Sequence, residues 1–352
     1  MQTQPISNSR LRQRPHPSPH HPRRGGFSLI ELVVVILVIA IIASFAIPAV
    51  QRAITTARVA GVTVEIRDLE KGIADFKLRY GVEPPSLFRI REDSTTWSTS
   101  NNVDRNSISM MRRMWPTFNA GGVDVDVNGD GDTSDTITLQ GAECLAFFLG
   151  GNGVLSGTPT GFSKNPINPF ATGGERVGPF AELDVGRLVD VDGDGNPEYM
   201  DNLPGQTMPY QYFSSYDGRG YQLGGFDNDL STAADNEVLT ISGTLSMAAP
   251  YFAVDAAWPD DAGMSTVSAD MAPALGQYFK PNGFQIISPG FDALYGIGGL
   301  YRDGEGIPIW IAATDSFRSR AARTAEADNI TNFTGGMLSP SNSFQEYRWD
   351  RE

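Results

Sequence analysis

Apolar and polar positions change their rhythm twice along the chain. From Phe27 to Val50, 24 residues are almost wholly apolar, interrupted only by Ser28, Glu31, Ser44 and Pro48. A bilayer's hydrocarbon core asks for about 20 apolar residues in a helix, so this stretch is long enough to span one. From Val59 the apolar residues thin to spacings of three and four: Val59, Val62, Ile66, Leu69, Ile73, Phe76 and Tyr80. That period places them in one stripe of an amphipathic helix, with Arg58, Glu65, Arg67, Asp68, Glu70 and Lys71 on the other faces. The stripe predicts packing on a sheet, with a three-heptad coiled-coil seam as the alternative. Gly81 and Pro84-Pro85 stop the helix. At 1.5 Å per residue, a helix over 27–80 would be roughly 80 Å long.

Beyond residue 80 the rhythm breaks into short apolar runs punctuated by Gly and Pro. Tyr210–Phe213, Val238–Ile241, Phe284–Ile287 and Ile307–Ile311 read as strands, the last an edge strand because of Pro308. Short helices are expected near Gln140–Leu149 and Met271–Phe279. The fold class is therefore α+β: a long N-terminal helix on a small antiparallel sheet with loop-rich insertions. The organisation expected is a leader over 1–26, a membrane or filament-core helix over 27–50, its amphipathic continuation over 51–80, and an exported β domain over 81–352. Acidic insertions lie near 124–135 and 190–201.

The residues before the apolar run change how it is used. A secretory signal is cut at small residues that follow its apolar region, which is then discarded. Here Gly25-Gly26 precede the run, behind a leader carrying Arg10, Arg12, Arg14, Arg23 and Arg24 and no acid. The positive-inside bias keeps such a leader cytoplasmic and sends the C-terminal part outward. A cut after Gly26 leaves the apolar helix as the new N-terminus.

The run Arg23-Arg24-Gly25-Gly26-Phe27-Ser28-Leu29-Ile30-Glu31, leading into Leu32–Ala43, resembles the class III signal of type IV prepilins and type II secretion pseudopilins. The resemblance implies cleavage between Gly26 and Phe27 by a prepilin peptidase, which also methylates the Phe27 amine. It further implies that Glu31 is the assembly glutamate and Pro48 the helix-kinking proline. A carboxylate in a membrane helix costs on the order of 2.5–3.5 kcal/mol at the centre and usually has a partner. Near the helix end, Glu31 reaches the interface by snorkelling; the resemblance adds pairing with the Phe27 amine of another subunit. Partners implied are other pilin or pseudopilin subunits, an inner-membrane platform with its ATPase, and membrane lipid. The implied location is the inner membrane, single-pass, with the C-terminal domain in the periplasm, then a pseudopilus or surface filament.

Weaker landmarks follow in order: Tyr80-Gly81, Pro84-Pro85-Ser86-Leu87, Pro209–Tyr212 and Ser288–Asp292. They are similar to the helix exit, central strand and late turn of a major pseudopilin, although this chain is much longer. Glu31 speaks against the tip subunit, which commonly lacks that residue.

Charge and composition narrow the chemistry. The whole chain has 27 basic and 41 acidic residues; without the leader's five arginines, 22 basic residues remain and the net charge is −19. Nucleic acid is thus not a partner. All three histidines (His16, His20, His21) lie in the leader, so histidine triads and histidine metal sites are excluded from the mature chain. Cys144, the only cysteine, sits in an apolar run and reads as a buried small hydrophobe.

Two acidic segments carry calcium-loop spacing. In the second, Asp190, Asp192, Asp194, Glu198 and Asp201 fall at loop positions 1, 3, 5, 9 and 12, with Gly195 at 6 and the Asn196 carbonyl at 7. In the first, Asp124, Asp126, Asn128, Asp130, Asp132 and Asp135 follow the same spacing when counted from Asp124. A frame from Asp126 also exists but puts Ile137 at position 12, so the Asp124 frame is preferred. Calcium is the cofactor expected. The sequons at Asn329 and Asn332 read as coincidental, and the cluster Arg318, Arg320 and Arg323 reads as a solvated helix face, with a subunit contact to an acidic neighbour as the alternative. The expected role is a non-enzymatic filament subunit. The alternatives are a membrane-anchored, calcium-dependent adhesive module and an anchored carboxylate hydrolase.

Overall fold

The computed structural model describes residues 27–221, 238–241, 244–247, 250–254, 276–296, 300–301, 307–311, 325–339 and 344–348. The chain falls into two units, Met1–Ile54 and Thr55–Glu352. Helix α1 (Leu29–Tyr80) supplies residues to both. The leader, Gly26 included, and the arginine cluster at 318–323 lie outside the described residues.

In the first unit, α1 exposes apolar side chains all round: Leu29 is 80% exposed, and Val33 to Val38 remain about half exposed. The helix continues through Pro48 without stopping. A proline inside a helix removes one backbone hydrogen bond and crowds the carbonyl four residues back. Ser44, that fourth residue, turns its hydroxyl to the Ile41 carbonyl at 2.7 Å.

In the second unit the expected stripe is the buried face. Val62, Ile66, Leu69, Ile73 and Phe76 are each at most 2% exposed, and Val59 and Tyr80 pack at the margin. Burying a side chain of this size contributes about 1.5–3 kcal/mol, which accounts for why polar residues avoid this face. The stripe joins one core with the strand residues Phe88, Ile90, Leu139, Tyr212 and Ile286, and aromatic side chains of a helix and a loop pack against it as well. Phe76 lies 5.5 Å from the ring of Phe148 on helix α3 (Gly141–Gly150) and 5.3 Å from Phe180 in a loop. Gly72 is the close-approach point, since a Cβ there would sit 3.0 Å from the Phe180 carbonyl and 3.3 Å from Leu149. Helix α3 is itself buried from end to end.

Helix α2 (Asn102–Met114) has no counterpart in the expected elements. Its signal is short but present: Asn101 accepts from the Asp104 N–H as N-cap, and Val103, Met110, Met111 and Met114 form the buried face. Strand β1 (Leu87–Arg91) pairs antiparallel with β2 (Thr136–Gln140) over five residues. Strands β3 (Leu188–Val189) and β4 (Glu198–Tyr199) form a short antiparallel pair around the second acidic loop. A three-stranded antiparallel sheet has β6 (Phe284–Ser288) between β5 (Gln211–Ser214) and β7 (Ile330–Thr331).

The α+β class holds, with a long helix and small, chiefly antiparallel sheets. The strands among the described residues make several small sheets rather than one, because loops and helices separate the pairs in sequence. Ile307–Ile311 pairs in parallel with Phe344–Arg348 as a two-stranded sheet, so the strand containing Pro308 is an edge. Within the stretch expected to be helical at Met271–Phe279, residues Gly276–Tyr278 are a strand paired with Phe252–Val254. Ladder pairing from a distant segment overrides local helical preference there. Cys144 is buried, and its thiol donates to the Leu139 carbonyl at 3.3 Å.

Candidate functional site

The N-terminal segment begins with a capping box. The Ser28 hydroxyl accepts from the Ile30 N–H at 3.2 Å, and Glu31 Oε2 accepts from the Ser28 N–H at 2.8 Å. Two of the four backbone donors left over at a helix start are thereby satisfied. The Ser-x-x-Glu spacing ahead of an apolar run is a sequence signal for this cap, a role of Glu31 separate from snorkelling and assembly. Phe27 itself is 83% exposed. This part of α1 therefore starts on a defined cap and presents an exposed apolar surface.

The part of α1 in the second unit is fastened by a polar cluster centred on Glu65. Its carboxylate accepts from Tyr210 Oη at 2.7 Å, from Tyr199 Oη at 2.9 Å, and from both terminal nitrogens of Arg187. Arg187 also lies over the Tyr199 ring, 4.4 Å from its centroid. Burial works against the guanidinium charge, but the hydrogen bond and charge of Glu65 hold its pKa above the ordinary value. Burial, then the Glu65 charge, pushes the Tyr199 hydroxyl up to about 12. Glu70 adds a second tie, accepting from Asn332 Nδ2 at 3.0 Å. The helical period placed Glu65 off the apolar stripe; the sequence carries no sign that three donors converge on it.

The two acidic segments fold into one and the same turn. Asp126 accepts from the N–H groups of Gly129 and Gly131 at 2.6 and 3.1 Å; Asp190 accepts from those of Gly193 and Gly195 at 2.7 and 3.0 Å. The next two acceptors also agree: Asn128 with Asp130 N and Asp130 with Asp132 N, against Asp192 with Asp194 N and Asp194 with Asn196 N. The second glycine of each turn has φ 95° and 96°, a conformation side chains resist. The frame that corresponds to Asp190 thus starts at Asp126, which corrects the preferred count from Asp124. Asp124 points out of the turn and accepts from the Ser94 N–H at 2.9 Å.

Around this shared turn the surroundings differ. In the first loop the Val127 N–H donates to Glu92 Oε1 at 2.7 Å, and the Asp135 N–H donates to Oε2 at 3.3 Å. Glu92 is the bend residue that follows β1 and is fully buried; burial raises its pKa and the two N–H groups oppose that rise. Glu92, Asp132 and Asp135 bring one carboxylate oxygen each within 4.8 Å of one another. In the second loop the corresponding N–H, of Val191, donates to Glu198 Oε2 at 2.9 Å.

The second loop's carboxylates do not gather as the twelve-residue count expects. Asp201 is 2% exposed and already engaged, accepting from Ser288 Oγ at 2.6 Å and from the Leu203 N–H at 2.9 Å. Asn196 turns its amide to Asp194 Oδ2 at 2.8 Å. The residue that joins Asp192 and Asp194 is Glu143, from the first turn of α3, again with one carboxylate oxygen from each within 4.8 Å. Glu143 Oε2 accepts from the Gln140 N–H at 2.6 Å as part of the α3 capping box. Burial first, then the charge of Asp194, pushes the Glu143 carboxyl up to about 10. The Gln-x-x-Glu cap was legible in the sequence; its meeting with a loop fifty residues away was not.

The family model for the prokaryotic N-terminal methylation motif matches residues 21–47. No curated protein and no solved structure matches the chain. The matched stretch contains the Gly26–Phe27 junction, the Ser28–Glu31 cap and most of the exposed apolar helix. Such a motif implies processing by a prepilin peptidase, anchoring through the apolar helix, and assembly with other pilin subunits. The motif, set at the start of a long apolar helix, fits a type IV prepilin-like protein.

Proposed function

We propose that the protein is a structural, non-catalytic subunit of a type II secretion pseudopilus or a related type IV pilus-like filament. The observation that carries the reading is the apolar, membrane-length run near the start of α1, of which no part is buried among the described residues. In water such a surface is costly, at about 25 cal/mol per Å². Lipid covers it before assembly and the helices of neighbouring subunits cover it afterwards. An inner-membrane platform and its ATPase move the subunit from the first environment to the second, with the C-terminal domain in the periplasm.

Glu31 has two uses in this scheme. In the single subunit its Oε2 closes the helix cap on Ser28, and in the filament the same carboxylate meets the methylated Phe27 amine of a neighbour. Mass spectrometry of the protein from its native membrane tests the processing step: N-methylated Phe27 is expected, and an N-terminus downstream of Ala43 overturns it. Glu31→Leu tests assembly. Processing should continue while incorporation into filaments falls, and normal filament yield from this variant removes the pairing from the scheme.

A further inference from the structure

Three carboxylates meet between the second acidic loop and α3. Asp192 and Asp194 are exposed on the loop, whereas Glu143 is 2% exposed on the helix. Among the described residues Glu143 Oε1 has no hydrogen-bond partner, although Oε2 is held by the Gln140 N–H. A buried carboxylate oxygen without a donor is costly, and charged neighbours of the same sign add to that cost. No Lys or Arg of the described residues pairs with any of the three within 4.0 Å. Among the described residues the cluster has acceptors in excess, one of them buried, and no ion-paired cation to use them.

We propose that Glu143, Asp192 and Asp194 form a calcium site that clamps the 190–201 loop to the start of α3, with Asp201 outside the coordination shell. All donors are hard oxygens, which excludes the soft transition metals as preferred occupants. Calcium accepts irregular sets of six to eight oxygens at 2.3–2.6 Å, so oxygens on opposite sides of one ion stand about 4.6–5.2 Å apart. The separation of at most 4.8 Å among these oxygens fits that geometry. Water completes the shell on the exposed side, and magnesium's demand for near-ideal octahedral geometry fits the arrangement less well. The Gln140 N–H fixes Oε2, which leaves Oε1 as the metal-facing atom. The ion offsets the like charges and supplies the partner that Oε1 lacks.

The site is tested on the full-length chain purified in detergent, stripped of metal with chelator and titrated with calcium chloride. Bound calcium is counted by equilibrium dialysis, and melts are recorded in calcium and in chelator. Wild-type protein is expected to take up calcium and to melt higher with it. Glu143→Gln keeps an oxygen for the Gln140 N–H but puts an amide beside the metal; it should lose one equivalent of calcium, with affinity at that site down about tenfold or more. Asp192→Asn should do the same, whereas Asp201→Asn should bind as wild type does. If Glu143→Gln fails to fold in chelator, the exposed Asp192→Asn and Asp194→Asn variants decide the matter. Coincident wild-type melts with no uptake at millimolar calcium overturn the site, as does unchanged stoichiometry in a folded Glu143→Gln or Asp192→Asn. Loss of the equivalent in Asp201→Asn overturns it in favour of the twelve-residue loop.

Discussion

The loops at 126–132 and 190–196 share a backbone turn down to individual acceptors, yet they are finished by different parts of the molecule. In the first, Glu92 crosses from the end of β1 and spends both carboxylate oxygens on backbone N–H groups of the loop. In the second, Glu198 from within the segment takes the corresponding N–H, and Glu143 arrives from α3 with Oε1 unmatched among the described residues. The comparison teaches that an Asp-x-[Asn/Asp]-Gly-Asp-Gly run specifies a turn. What the turn then holds depends on the glutamate delivered to it by the surrounding fold.

The sharpest way to break this comparison is to remove the glutamate that holds the first loop. Glu92→Ala strands two buried or half-buried N–H groups, and should cost about 2–4 kcal/mol, read as a lower denaturation midpoint at unchanged slope. Glu143→Gln in chelator should cost far less, since its one satisfied acceptor survives. Equal losses from these two would mean that the glutamates serve the same purpose in both loops.

A smaller effect tests whether the turns are truly equivalent. A Cβ at Gly131 or Gly195 meets nothing within 4 Å, so Gly131→Ala and Gly195→Ala carry a backbone penalty alone. Each should destabilise by about 1–2 kcal/mol, and the two values should agree within experimental error. A neutral result in one loop only would show that the shared φ values do not reflect a shared requirement.

The smallest effect separates the two frames of the first loop. Asp126→Ala removes the acceptor for two loop N–H groups and should cost about 1 kcal/mol. Asp124→Ala removes only a surface contact to Ser94 and should leave the melting temperature where it was. A reversal of that order would restore the count from Asp124.

Legibility followed the range of the interactions. The α1 stripe was readable because an amphipathic helix writes its buried face into a local period, and Val62, Ile66, Leu69, Ile73 and Phe76 are the residues found inside. The membrane-length run was equally local. The Ser28–Glu31 cap was also available but unread, and α2 announced itself only through Asn101 and a methionine face. Strands at Gln211–Ser214 and Phe284–Ser288 were anticipated, whereas their pairing with each other across seventy residues could not be.

By itself the sequence determined that α1 begins with a capped apolar helix, continues as an amphipathic one, and is followed by two acidic Gly-Asp-Gly turns. Each of these depends on residues within a turn or two of one another, where side-chain period, cap chemistry and glycine's access to positive φ suffice. Only the tertiary structure decided that Glu65 gathers Arg187, Tyr199 and Tyr210, and that Asp201 belongs to Ser288. The same holds for Glu143, which stands beside Asp192 and Asp194. Carboxylates attract donors and cations wherever these come close, and closeness between residues 49 to 145 positions apart is set by how the core packs, which no local pattern encodes.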